Sequence, residues 1–425
     1  MRRLPVLLLA LAIAAGCNFD SGAGGGGAID GGGGGGGDGG TIDGGGGTID
    51  GGGDQADAGT DCADLLPFEP SNFAVCDLVY LPENLTLDMV GTYQLNTANH
   101  VLTDPGGGTR TLDGVEIAQT DAPAIFVVFV RTFTLGDTSG LSVRGPSAFA
   151  LVTRRDLAVD GAMGAPGSGT IPGAGGNNPD ACTPGGRGRP GVVQSNQAGT
   201  LSGGSGGGGG AFGGAGGQGA VVDGADNPEV TAGGAIGGNA TLIPLRGGCS
   251  GGAGGDPASN GGPAGGAGGA IQLVAGGVIS VPGYVTARGG GGNGVQGPSG
   301  GGGGGGSGGG LLLEAIDIEI NGALTANGGG GGEGGRAGDT SDSGSNGHDF
   351  DGGRASGGSG MTFGGNGGDG GALAGDDGLD ATTGFSSDGA LAGGGGGGGG
   401  IGRIHLRAIG DITIGGFATI SPAAQ

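Results

Sequence analysis

Four short apolar phrases in a glycine-rich chain share one layout, and that layout limits what the chain can fold into. They are FALVTRRDLAVDGAMGA (149–165), IQLVAGGVISVPGYVTA (271–287), LLLEAIDIEINGALTA (311–326) and IHLRAIGDITIGGFATI (404–420). Each reads as two alternating strands, a Gly, and a third alternating strand. Side chains of a strand alternate between its faces, so the phrases predict inward pairs in one register. First strands supply Phe149/Leu151, Ile271/Leu273, Leu311/Leu313 and Ile404/Leu406. Second strands supply Leu157/Val159, Ile279/Val281, Ile318/Ile320 and Ile412/Ile414. Third strands supply Met163/Ala165, Val285/Ala287, Leu324/Ala326 and Ala418/Ile420. The shared Gly161, Gly283, Gly322 and Gly416 suit a corner that needs a positive φ. No stretch has helical periodicity, so stacked phrases predict an all-β chain. The expected fold is a parallel β-solenoid, or β-helix, of about six or seven three-strand coils spaced about 4.8 Å apart.

Glycine supplies 129 of the 425 residues, but its runs are irregular and Pro numbers only 19, which excludes collagen. The tracts 166–270, 288–310 and 327–403 each leave after a third strand and return at a first strand, so all three emerge from one corner. Loop closure costs rise only logarithmically with length, so such insertions need not break the coils. Two states are open to them: disordered chain, or polyglycine-II-like helices with three residues per turn. Triplets such as Gly213-Gly214-Ala215-Gly216-Gly217-Gln218 suit the second, because Gly on two faces lets backbones approach. Pure runs such as Gly393–Gly400 carry no register information.

The N-terminus reads as an export signal over 1–16. Arg2 and Arg3 precede the apolar run Leu4–Ile13, and Ala14-Ala15-Gly16-Cys17 follows. These last four residues resemble a bacterial lipobox, which implies lipidation of Cys17; Asn18 in place of Asp then favours the outer membrane. Plain secretion is the alternative. Residues 17–60 read as a lipidated Gly/Asp tether, and 61–90, richer in Leu and Phe, as an N-terminal cap on the solenoid. Coils follow over 91–165, at 271–287, at 311–326 and at 404–425. Ile125–Val130 is apolar on both faces and needs a cover. Cys62, Cys76, Cys182 and Cys249 remain, and in an exported chain they allow three disulfide pairings; Cys62–Cys76 with Cys182–Cys249 is the expected one.

Chemistry is sparse. The formal charge is −24 and every cation is Arg, which argues against a nucleic-acid partner. His100, His348 and His405 lie far apart in sequence, and neither a nucleophile elbow nor a Lys-bearing phosphate loop is present. Gly364–Asp369 matches six positions of a calcium-binding repeat, but Gly371 stands where an apolar residue belongs. No cofactor is expected, calcium being the weakest alternative. Asp339, Asp342, Asp349 and Asp351 near His348 read as a solvated loop. The outward carboxylates Asp160, Glu314, Asp317 and Glu319, with the strip Arg403, His405 and Arg407, support one alternative function, a β-helix lyase or hydrolase acting on polysaccharide. Glu314 and Arg407 occupy equivalent outward positions and are expected to pair if their coils stack.

LSVRGPSAFALVTRRDLAVDGAMGA (141–165), with the phrases over 269–292 and 308–331, the lipobox and the Gly/Asp tether, resembles the glycine-rich surface lipoproteins of myxobacteria and their relatives. That resemblance implies no assigned activity or catalytic residue. The expected function is a lipid-anchored, cell-surface, non-catalytic scaffold or adhesin. Its expected partners are the membrane through the lipid, and extracellular polysaccharide or other surface proteins through a glycine-rich face.

Overall fold

The computed structural model describes residues 62–425 except 183–184, 197–198, 200, 258–260, 296, 298, 337–340, 361–362 and 387–390. The expected signal, Cys17, the tether and Asp339 lie outside the described residues.

The chain is nearly all β. It begins with Tyr80–Leu87 (β1), Gly91–Asn96 (β2), Val101–Thr103 (β3), Thr109–Thr111 (β4) and Val115–Ile117 (β5). Ile125–Leu135 (β6), Ser139–Arg144 (β7), Ala148–Thr153 (β8), Leu157–Val159 (β9) and Ala162–Gly164 (β10) follow. Val193–Ser195 (β11) and Ser202–Gly204 (β12) form a small ribbon inside the first glycine tract. Ala270–Val281 (β13), Tyr284–Thr286 (β14), Gly310–Ile320 (β15), Ala323–Thr325 (β16), Arg403–Ala408 (β17), Ile412–Ile414 (β18) and Thr419–Ser421 (β19) complete it.

Two large sheets result. One runs β1-β6-β8-β13-β15-β17, with β5, β9 and β18 attached; the other runs β19-β16-β14-β10-β7-β2-β3-β4. Their inner faces share one core, from Leu87 and Phe126 to Leu324 and Ile404.

The expected solenoid of three-strand coils is corrected by these pairings. The first and second strands of two phrases are single strands: β13 carries a register shift near Gly276-Gly277, and β15 has no glycine at the equivalent place. The first phrase does break there, into β8 and β9, and both pieces lie between the longer β6 and β13. Pairings β6–β8, β8–β13, β13–β9 and β9–β6 therefore close a four-strand parallel ring. The N-terminal part departs further, because β3, β4 and β5 pair antiparallel to their neighbours.

Within this architecture the register of the phrases is plain. Ile271 lies beside Phe149 and Leu311, and Leu311 beside Ile404. Ile279 lies beside Leu157 and Ile318. Val285 lies beside Met163 and Leu324. The last phrase departs twice. Leu324 faces Ile420 where the spacing predicts Ala418, a slip of two residues that keeps the same face inward. Ile412 and Ile414 pair with Ile318 and Ile320 yet are 43% and 53% exposed, because among the described residues no further strand pairs with β18. The shared glycines also have a different cause. None of them has a positive φ. A Cβ on Gly161 would strike the Ser139 carbonyl, one on Gly283 the Gly161 carbonyl, and one on Gly322 the Gly283 carbonyl. Close stacking of backbones, not handedness, excludes a side chain there; Gly416, at the open end, meets nothing.

The described parts of the glycine tracts form a second body of backbone hydrogen bonds. Gly393–Gly402 lies at its centre. The N–H groups of Gly393, Gly396, Gly399 and Gly402 donate to the carbonyls of Gly335, Gly332, Gly329 and Ala326. Those of Gly394, Gly397 and Gly400 donate to Gly204, Gly207 and Gly210. Those of Gly395, Gly398 and Ile401 donate to Thr382, Leu379 and Asp376. Its own carbonyls accept from three further segments, 302–308, 213–220 and 365–371. A repeat of three with six surrounding segments is the packing of polyglycine-II helices. The run 301–309 is enclosed in the same way, by 249–255, 262–268, 287–293, 329–332, 394–400 and 207–210.

Glycine content therefore follows position. An interior helix presents backbone on all three faces and is almost all Gly; Ser307 in 301–309 is fully buried and its hydroxyl accepts the Cys249 N–H. A peripheral helix such as 213–218 has a free face, and Ala215 and Gln218 occupy it. At the rim a carboxylate or hydroxyl, in place of a backbone carbonyl, accepts the N–H: Asp377 from Ala215, Asp380 from Gln218, Asp369 from Gly357, Asp223 from Ser386 and Thr382 from Asn366. Part of the chain's acidity thus satisfies backbone donors at the rim of the bundle.

The doubly apolar strand β6 has its cover. Leu66, Phe73 and Val75 pack with Phe212, Leu242 and Leu245 over Ile125, Val127 and Phe129 on the outer face of the first sheet. The segment 62–78 thus lies on that face instead of the sheet end, and β1 and β5 cover the edge by pairing with β6. Disulfides join Cys62 to Cys76 (Cα–Cα 5.0 Å) and Cys182 to Cys249 (Cα–Cα 5.7 Å).

Candidate functional site

The outer face of the second sheet carries a groove that crosses β2, β7, β10 and β14. Inward Tyr93, Leu141, Met163 and Val285 belong to the core, so alternation turns Thr92, Gly140, Ser142, Ala162, Gly164, Tyr284 and Thr286 outward. Gly140, Ala162 and Gly164 form a low floor between Thr92 on one side and Tyr284 on the other. Arg288, Asp349 and Pro166 close the rim of a hollow of about 170 Å³. A second hollow, of about 350 Å³, continues past Tyr284 to Asp137 and Asp160. A third, of about 330 Å³, shares Ser142 and reaches Gln94, Asn99 and Arg144.

Several contacts hold the rim in place. Arg288 Nε donates to Asp349 Oδ1, and its Nη1 donates to the Gly167 carbonyl at 3.2 Å. The Thr325 hydroxyl donates to the Asp349 carbonyl at 2.9 Å, and Asn327 Nδ2 donates to the carbonyls of His348 and Asp351 at 3.0 Å. The loop carrying Asp349 is thus pinned to the sheet. Burial raises the Tyr284 phenol above its ordinary pKa, and Asp349 adds to the effect while Arg288 opposes it. The ring therefore stays a neutral hydrogen-bonding phenol through the physiological range. Burial and the neighbouring Arg288 lower the Arg144 pKa, and Arg144 Nη1 is enclosed without a hydrogen-bond partner. A small-residue floor, one aromatic wall, hydroxyls and a paired donor and acceptor match a sugar ring, which presents an apolar face and a rim of hydroxyls.

The residues singled out in the sequence are mostly dispersed. Glu314 is fully buried and accepts from Ser71 Oγ at 2.6 Å, Gln272 Nε2 at 2.6 Å and Arg407 Nη1 at 2.7 Å. It anchors the 62–78 segment to the first sheet. Asp317 accepts the Asp411 N–H at 2.8 Å. Asp160 lies on the other sheet, in the groove. Asp369 of the calcium-like motif accepts the Gly357 N–H. Asp349 and Asp351 belong to one loop, but Asp349 holds Arg288 while Asp351 holds His348 and the Gly353 N–H. Among the described residues no group of three or more His, Cys, Asp or Glu is placed to hold a metal ion, and no helix is long and apolar enough to cross a membrane.

The groove itself was missed from the sequence. Its signal was the run of small residues at outward positions of successive third strands, interrupted by Tyr284; it has meaning only once those strands are neighbours. Comparison with family models, curated proteins and solved structures gives no significant match.

Proposed function

We propose that this chain is a lipid-anchored bacterial surface protein with a non-catalytic, adhesin-like role, which holds extracellular polysaccharide and presents its glycine bundle as a rigid body to neighbouring surfaces. The observation that carries the reading is the groove beside Tyr284, where Gly140, Ala162 and Gly164 leave room for a ring against the sheet and Arg288 and Asp349 offer a donor and an acceptor at its edge. The anchoring and surface parts rest on the signal-like segment ending at Cys17. The bundle suits such a role because its stiffness comes from backbone hydrogen bonds and needs little apolar surface.

Glycan-array binding of the full chain tests the proposal. Retention of one class of polysaccharide, lost in Tyr284→Ala and kept in Phe350→Ala, supports it. Equal binding by both variants, or none by the parent, removes the groove from the argument. Protease treatment of whole cells tests display, and full protection of residues 62–425 would exclude it.

A further inference from the structure

On the outer face of the first sheet two guanidiniums and an imidazole lie without a carboxylate partner among the described residues. Arg403 and His405 point outward from β17, two residues apart on one face. Arg407, the next outward residue, is neutralised by Glu314; Arg403 and His405 are not. Arg246, from the first glycine tract, joins them. The Arg246 and Arg403 guanidinium carbons lie 5.1 and 5.8 Å from the centre of the same ring, the fully buried Phe212. Neither guanidinium has a carboxylate within ion-pair distance among the described residues.

Their donors are also unspent. Four buried side-chain nitrogens among the described residues have no hydrogen-bond partner, and three of them are Arg246 Nε, Arg403 Nε and His405 Nδ1. Arg403 does use Nη2, which donates to the Gly237 carbonyl at 3.3 Å, so its position is held. Burial lowers the pKa of both arginines, and Arg403 lowers that of Arg246 further. In a chain of net charge −24, two uncompensated guanidiniums on one aromatic ring need a reason. Simple solubility does not supply one, because Phe212 and the neighbouring Leu242 and Leu312 bury the cluster's inner side. All three side chains remain partly open to solvent, although the unpartnered nitrogens themselves are enclosed.

We propose that Arg246, Arg403 and His405 form a binding site for an oxyanion: a carboxylate, sulfate or phosphate group. Guanidinium forks match the paired oxygens of such groups, and an anion between Arg246 and Arg403 removes their like-charge repulsion. The site is independent of the groove on the second sheet and stands or falls separately from it.

The test is calorimetric titration of the full chain with sodium sulfate, sodium phosphate and an oligogalacturonate, at an ionic strength held constant with chloride. Saturable binding that weakens at least tenfold in both Arg246→Gln and Arg403→Gln, with Arg155→Gln unchanged, is the expected result. Tighter binding of the oligogalacturonate than of the free ions would identify an acidic polysaccharide as the source of the anion; the reverse order would identify a free ion. Thermal unfolding without added anion guards against a folding defect: Arg246→Gln should melt at or above the parent temperature, because one of two like charges is gone. Absence of saturable binding in the parent, or undiminished binding in both glutamine variants, overturns the proposal.

Discussion

Replacing Gly396 by Ala adds one methyl group at the middle of the central polyglycine helix. The new Cβ would sit against the Gly303 carbonyl oxygen and carbon and the Gly304 nitrogen, all backbone and all within 3.0 Å, closer than real Cβ atoms come. No side chain can rotate away, so a helix must shift. The shift strains the bonds from Gly396 N–H to Gly332 and from Gly368 N–H to Gly396, with the bonds of the displaced neighbour. Overpacking costs about 1–3 kcal/mol, and each weakened hydrogen bond about 1 kcal/mol. Against this, alanine restricts the unfolded chain and returns about 0.4–1 kcal/mol. The net expectation is a loss of about 3 kcal/mol. Gly416→Ala is the matched control, because nothing lies within 4 Å of its Cβ and its φ is not positive; it should be neutral or slightly stabilising. Urea unfolding followed by circular dichroism measures both, with amide exchange to locate the damage. If Gly396→Ala unfolds at the same midpoint as Gly416→Ala, the close-packed bundle is wrong.

Other outcomes follow from single contacts. The double variant Cys182→Ser/Cys249→Ser releases a crosslink spanning 67 residues and should lose about 2–4 kcal/mol in denaturant unfolding; an unchanged midpoint would mean the glycine bonds alone hold that loop. Glu314→Ala strands the donors of Ser71 and Gln272 and should cost about 1–3 kcal/mol, with earlier proteolysis in 62–78 than in the sheets. The Gly353 N–H and His348 hold the Asp351 carboxyl below its ordinary pKa, against a burial effect that raises it. A depressed folded pKa contributes stability above the unfolded value of about 4 and loses it as pH falls through the folded value. Protection of the 348–353 amides from exchange, measured against the unfolded-chain rate at each pH, should therefore fall in acid in the parent, and Asp351→Asn should lose that step; an identical acid response in the two proteins would remove Asp351 from the account.

The apolar phrases made most of the two sheets legible, because alternation and the spacing of Phe149, Ile271, Leu311 and Ile404 are local properties of the chain. The lateral bonds they make are not. Whether LLLEAIDIEI runs on as one strand or bends into two depends on the neighbours that pair along it, and pairing with β13 along its length keeps it straight. The slip at Ile420 and the exposure of Ile412 come from being last in the stack, a position no local pattern records.

Glycine shows the division most clearly. From the sequence, the run at 393–400 carried no register, since identical residues cannot distinguish one offset from another. The structure assigns the register through neighbours that do carry marks, such as Ala220, Leu379 and Ala326, which bond to its ends and flanks. Gly161, Gly283 and Gly322 were visible as a repeated feature, but their cause, one backbone lying on the next, exists only in three dimensions. The groove beside Tyr284 and the cation pair on Phe212 have the same origin. Their residues lie far apart along the chain, at Arg144 and Arg288 or at Arg246 and Arg403, and only the stacking of strands and helices brings them together. By itself, then, the sequence determined which residues alternate and which faces are apolar, because those depend on neighbours two residues away. The tertiary structure decided what each face meets, because that depends on segments distant in the sequence, as Gly283 meets Gly161 and Gly393 meets Gly335.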